Sequence, residues 1–347
     1  MDDIALSMIV NSNVSSNLAA LTLTIQPRNM STALMIIPQP RTYNYLNRLN
    51  VYSLDDDECM IRFRFNIHEI QRIISAMNLP NTIRSDNGSI IDTVTAMCML
   101  LRRLAYPNRY WDISQEFGYD NTMVCRFILT LVTILDNKYR SFITLWPGIT
   151  TQRVIHYSNI ITTKFNAIQQ IWGAIDGAFR ASCRPTHNQK LLFSGHKRMH
   201  GQKFQSIVTP DGLIVSLWGP ELGKSHDLTL LRESNIMNIL QPHVIDNDTI
   251  YFLYGDSAYS GQKYIMSPTS NDTTYNSYMS KMRIIVEWGF SKVIQYFSYI
   301  DYKKQMKLEL SPTAAEYKLA VLFTNIHTCL RQSSLTIKLF NSTAPTI

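Results

Sequence analysis

Three acids, far apart in the chain, carry the strongest chemical pattern. Asp176 lies near the end of Ile171–Phe179, IWGAIDGAF, a short apolar run with glycines about it that reads as a buried strand. A carboxylate in such a strand is costly to bury without a positive partner. Asp256 stands 80 positions later, just past a second apolar run, Ile250–Tyr254, and Glu287 another 31 on. Three convergent carboxylates with no Cys or His cluster suit a hard divalent cation, Mg2+ or Mn2+. Two such ions, ~3.5–4 Å apart, serve an in-line phosphoryl displacement.

Each acid also has a plainer use. Asp176-Gly177 and Gly255-Asp256-Ser257 are turn formers, and Glu287 can pair with Arg283 at i−4. On a helical period Ile284, Phe290 and Ile294 share the face of Glu287, which places that acid inside the apolar stripe. Asp227, in Gly223-Lys224-Ser225-His226-Asp227, is the further candidate for a metal place; its alternative is a first-turn acid on a helix dipole.

The elements that must position these groups alternate in type. The strand around Asp176 is followed by a loop, Arg180 to Gln202. Two alternating runs, Lys203–Thr209 and Leu213–Trp218, are joined by the turn Pro210-Asp211-Gly212. A helix over 226–240, the strand 250–254, a helix over 282–297 and a last helix from Ser311-Pro312 complete the series. Three strands, helix, strand, helix, helix predicts an α/β, RNase H-like mixed sheet flanked by helices, with the first and fourth strands side by side. That domain is placed at 167–335, with a tail over 336–347.

Upstream, residues 1–60 read as a loosely ordered arm (1–40) and a lead-in to an all-α domain over 61–166. The periodicity there predicts helices from Phe65 to Leu79, Ser89 to Leu104, Tyr110 to Phe117 and Asn121 to Asp136, the last capped by Asn121-Thr122. Short helix, Gly118, longer helix is a helix-turn-helix-like pattern, from which Arg102, Arg103, Arg109 and Arg126 could reach DNA. An ordinary three-helix bundle has the same spacing.

Charge points to the partner. The formal charge is +7, yet the first sixty residues carry six acids against three Arg, a balance of −3 that leaves about +10 for residues 61–347. No acid stands between Gly177 and Pro210, whereas Arg180, Arg184, Lys190, Lys197, Arg198 and Lys203 do, with His187, His196 and His200. Such a run suits a phosphodiester backbone; Tyr302, Lys303, Lys304 and Lys307 extend it. Five scattered cysteines without CxxC argue against a disulfide framework or zinc cluster. No apolar run approaches a membrane span, and Asp2 and Asp3 make a poor secretory start.

At AIDGAFRASCRP (174–185), KRMHGQKFQSIVTPDGLIVSLWGPELGKSHDLTLL (197–231), YGDSAY (254–259) with Pro268, and RIIVEWGF (283–290), the sequence resembles the PIF/Harbinger superfamily of DDE transposases, including the Harbinger transposase-derived nucleases. The resemblance covers about 170–330, with looser similarity near 88–138. It maps the family's catalytic acids onto Asp176, Asp256 and Glu287, and its Ser-His-Asp motif onto Ser225, His226 and Asp227; Ala178 and Phe179 stand where relatives often carry Thr and His. It implies a metal-dependent DNA endonuclease or transposase acting at transposon ends, probing double-stranded DNA in the nucleus, often with a Myb-like DNA-binding helper protein. A homodimer is a further candidate assembly. The alternative is a domesticated DNA-binding or protein-interaction factor that keeps the fold without turnover.

Overall fold

The computed structural model describes residues 48–166, 168–268 and 273–346. The arm expected over 1–40 lies outside the described residues. The described residues begin within the expected lead-in. Helix α1 (Asp56–Phe63) is capped by Asp55, whose side chain accepts from Glu58 N–H, and Asp56, Asp57 and Glu58 fill its first turn. Four of the six acids in the first sixty residues therefore complement a helix dipole. Helix α2 (Ile67–Ala76) starts at a capping box, Asn66 with Glu69, and buries Ile67, Ile70 and Ile73.

The helix expected from Ser89 begins instead at Thr93. Residues 90–92 belong to a two-stranded hairpin, β1 (Thr82–Arg84) with β2 (Ile90–Asp92), and Asp92 caps helix α3 (Thr93–Ala105). Three-residue strands are too short to show a period of two. Val94, Met97, Cys98, Leu101 and Leu104 are buried as expected. Helix α4 (Tyr110–Phe117) ends on Gly118 at φ 70°, and α5 (Asn121–Thr144) follows. Its cap is Asp120, which accepts from Thr122 N–H, and not Asn121-Thr122. Helix α6 (Thr151–Lys164) leads to the sheet.

The central strand is β3 (Ile171–Ala181). After the short helix α7 (Gln189–Leu192) come β4 (Phe193–Ser194), β5 (Met199–Val208) and β6 (Ile214–Leu222), which extend and interrupt the expected long loop. The 226–240 helix breaks at Asn235, in the left-handed region, into α8 (Asp227–Ser234) and α9 (Ile236–Leu240). A small hairpin, β7 (Ile245–Asp246) with β8 (Thr249–Ile250), precedes β9 (Phe252–Tyr254) and β10 (Ile265–Met266). Helices α10 (Thr273–Tyr296), α11 (Thr313–Arg331) and α12 (Leu335–Phe340) close the chain.

The main sheet runs β10-β9-β3-β5, with β6 and β4 both pairing β5. β9 lies parallel to β3 and to β10; β5 is antiparallel to β3 and to β6. This is the mixed sheet flanked by helices that the order of elements predicts. In the β5–β6 turn Asp211 is buried, accepting from Thr209 Oγ1 at 2.6 Å and from Tyr157 Oη at 2.5 Å. At β6, Asn325 both donates to Ile214 C=O (2.8 Å) and accepts from its N–H (3.0 Å), so α11 covers a strand edge.

Alternation along the strands sends side chains to two cores. Ala174, Phe204 and Val208 face the larger one, which joins Phe117, Leu131, Val286 and Phe323. Ile175, Ile207 and Leu253 face the smaller one, with Tyr157 and Leu231. The larger core runs from Val51 to Phe340, so the helical segment and the sheet share it. Truncating one of its buried Phe residues would cost ~3–5 kcal/mol. Arg103 lies at that junction, 5% exposed, and not on an outer face as the helix-turn-helix pattern suggests. Its guanidinium donates to Asn108 C=O and Tyr299 Oη (2.9 Å) and stacks on Tyr110 and Tyr299. Arg102 is turned onto Glu116 at 2.8 Å. Among the described residues no helix is long and apolar enough to cross a membrane. All five cysteines are free thiols.

Candidate active site

Parallel pairing of β3 and β9 brings two of the expected acids to one sheet end. Ala174 is in register with Tyr254, and Asp176 and Asp256 each stand two residues beyond that pair. Neighbouring strands lie ~4.8 Å apart. Asp256 leaves the strand to cap a short turn of helix, accepting from Ala258 N–H at 3.0 Å. Asp176 stays in β3, partly buried, and accepts from its own neighbour Gly177 N–H at 2.7 Å.

The Asp176 carboxyl is pushed up to about 6. Burial is the main cause; the charges of Asp256 and Asp227 add to it, while the Gly177 N–H and Arg283 oppose it. Asp227 arrives from the opposite face of β3. It opens α8 and presses on Gly177, where a Cβ would fall 2.7 Å from its Oδ1. A side chain at 177 would push the Asp227 carboxylate aside. Asp227 also pairs with Lys203 at 3.3 Å. The fields of Asp227, Asp176 and Asp256 all reach the buried Tyr259 phenol, which burial first and these charges next hold protonated far above its ordinary range. Asp176, Asp227 and Asp256 thus form one electrostatic cluster.

Glu287 behaves differently. The buried stripe of α10 is Met279, Met282, Ile285, Val286 and Val293, while Ile284 is 38% exposed and the Glu287 side chain 54%. The expectation that Glu287 lies within the apolar stripe is overturned: the stripe is offset by about one residue, and spacing of three and four cannot separate its centre from its margin. Glu287 pairs with Arg283 at 3.4 Å, an exposed i,i+4 pair worth ~0.3–0.5 kcal/mol. Arg283 in turn acts on Asp176. Among the described residues no three His, Cys, Asp or Glu side chains converge as a ready metal group. The donor chemistry still fits a hard cation, because the charges of Asp256 and Asp227 raise the proton affinity of Asp176 and the three acids present oxygen alone.

The expected DNA-contacting cations divide. Arg184, Lys190, Lys197 and Arg198 are exposed, and Cys183 ties their loop to Lys303 C=O through its Sγ (3.0 Å), beside exposed Lys303, Lys304 and Lys307. Arg180 is turned inward, between Tyr317 and Phe290. Lys203 is engaged by Asp227. Arg109 is exposed with Asp112 at 2.9 Å, and Arg126 lies 3.9 Å from Asp86.

Sequence reading missed two neighbours of the acids, Gln205 and Ser206, and took Arg283 as a partner of Glu287 alone. Gln205 donates to Tyr259 Oη at 3.0 Å, behind Asp227. Ser206 is paired across β5 with Asp176, fully buried, its Oγ without a partner. Arg283 bridges Asp176 and Glu287 electrostatically. A serine at an inward position of an alternating strand was the available signal for Ser206.

The comparison with protein families bears on the class. Residues 175–324 match the family model of DDE superfamily endonucleases. That span holds Asp176, Asp227, Asp256 and Glu287, and it supports a nuclease of the DDE type. No curated protein and no solved structure matches the chain.

Proposed function

We propose that the chain is a metal-dependent DNA endonuclease or transposase of the PIF/Harbinger kind, with an RNase H-like catalytic domain acting at transposon ends. The observation that carries this is the placement of Asp176 and Asp256, each two residues beyond the Ala174–Tyr254 pair of neighbouring parallel strands, inside the DDE endonuclease match. Asp176 and Asp256 would hold the divalent ion, with Glu287 and Asp227 as the further acids. When bound, such ions lower the pKa of a water or hydroxyl and stabilise the leaving oxygen of a phosphodiester.

The chain's own groups supply the rest. Asp176, fixed in a strand and hydrogen-bonded to Gly177, keeps one carboxylate at a set position. Lys203 holds Asp227 against β3 and limits repulsion within the cluster. Arg283 neutralises Glu287 and must release it for Glu287 to join the other acids. Arg184, Lys190, Lys197 and Arg198 would track the DNA backbone. Helices α4 and α5, with Arg109 and Arg126, are the helix-turn-helix-like part of the proposal. A nuclear setting, a Myb-like helper and a homodimer belong to the same proposal.

The second reading, a factor that binds without cutting, is favoured by one observation: Glu287 is exposed and paired, away from the other acids. Nicking of the gene's own flanking repeats with Mg2+ or Mn2+ separates the two. Asp256→Asn should abolish nicking and leave DNA binding largely intact; a wild-type protein that binds but never cuts favours the second reading.

A further inference from the structure

Beside the proposed site the chain builds a knob. Helix α7 leads into β4, which pairs Phe193 with His200 and Ser194 with Met199. On the other strand Leu222 pairs with Gln202. The backbone after β6 is drawn in: Lys224 N–H donates to Leu191 C=O at 3.4 Å, and a Cβ on Gly223 would fall 2.2 Å from Leu192 C=O. The segments that carry Leu191, Phe193 and Leu222 therefore lie side by side, with these side chains exposed by 36%, 39% and 37%. Single exposed apolar side chains are ordinary; a gathered set marks a contact surface. Phe193 is held, its ring edge-on to His200 with centroids 5.2 Å apart.

The surroundings of this apolar tip are cationic. Lys190, Lys197, Arg198 and Lys224 are all exposed around it. Glu309, an acid that touches the segment, accepts from His187 N–H at 3.0 Å. Its location argues for nucleic acid over a lipid surface. Alternation along β5 puts His200 on the same sheet face as Ser206, the cross-strand partner of Asp176. Six residues of strand span ~20 Å, or about six base steps at ~3.4 Å each. A duplex with one phosphate at Asp176 would pass the knob.

We propose that Leu191, Phe193 and Leu222 form a wedge that enters an opened base step a few pairs from the cut, while the surrounding cations hold the backbone. Apolar side chains inserted between base pairs unstack them, and an exposed aromatic ring can stack on the freed base. The inference rests on the nuclease reading and adds a recognition mode to it.

The test uses the full chain in EDTA, so that nothing is cut, with a duplex carrying 2-aminopurine opposite a mismatch and the same duplex fully paired. The wild type should bind the mismatched duplex about tenfold tighter and raise its fluorescence, because an already weakened step costs less to open. Phe193→Ala, and separately Leu191→Ala, should lose both effects while binding the paired duplex within about threefold of wild type. The Lys197→Ala/Arg198→Ala double variant should weaken both duplexes alike and keep their ratio. A Phe193→Ala protein that retains the preference overturns the wedge. So does a wild type that binds both duplexes equally, or a Phe193→Ala protein that loses both equally. A wild type that binds neither duplex removes the nuclease reading itself.

Discussion

Two acids of this protein, one fully buried and one partly buried, have carboxyls raised by the same main cause in different surroundings. Glu316 lies in the junction of helices and sheet, fully buried, and its carboxyl is pushed up to about 7, chiefly by burial, with Arg103 opposing. Neither of its oxygens has a hydrogen-bond partner; the nearby Tyr299 hydroxyl accepts from Arg103 instead. Asp176, at about 6, is raised by the same main cause, but its remaining neighbours include two further carboxylates at an open sheet end. A raised carboxyl alone therefore does not mark a site. Burial beside a fixed cation reads as internal architecture, whereas burial beside other acids creates a demand for a cation from outside.

The largest test of that contrast is catalytic. Asp176→Asn should reduce metal-dependent nicking by at least about a thousandfold, the scale of removing a central group of a catalytic unit, with no loss of thermal stability. Glu316→Gln should leave nicking within a fewfold. Equal losses from the two would erase the distinction.

A smaller effect runs the other way. Arg103→Met removes the cation facing Glu316 and should destabilise the fold by ~3–5 kcal/mol near neutral pH, read as a lower urea midpoint at unchanged slope. Asp176 has no comparable single partner, so Arg283→Met should shift the midpoint little.

The smallest effect is in pH. The folded pKa of Glu316 lies above its unfolded value of 4.5, so its favourable contribution is complete below about 4.5 and lost as pH rises through about 7. Asp176 acts in the same direction from 3.8 through about 6. Glu316→Gln should flatten the decline between pH 5 and 7 as measured by urea titration. Added Mn2+ should reverse the Asp176 part alone, because a bound cation favours the carboxylate.

Much of the arrangement was legible in the sequence, for physical reasons. Ile171–Phe179 stands out as a buried strand because its apolar run is continuous, and Pro210-Asp211-Gly212 announces a hairpin through its turn chemistry. Strand order then places Asp176 near Asp256. The hairpin at 82–92 was not legible, since three residues show no period. The Asp120 cap was hidden by Asn121 and Thr122, which have the same capping chemistry. Glu287 was misplaced because an offset of one helical position carries a side chain from the stripe to its margin. Arg103 looked like a surface cation because sequence gives no sign that Glu316 and two tyrosines would enclose it.

The most direct measurement is Mn2+ binding by electron paramagnetic resonance or calorimetry to the wild type, Asp256→Asn and Glu316→Gln. A shared carboxylate site at the sheet end requires that the wild type and Glu316→Gln bind alike and that Asp256→Asn lose most of its affinity. Equal binding by all three, or none by the wild type in the presence of DNA, would contradict it.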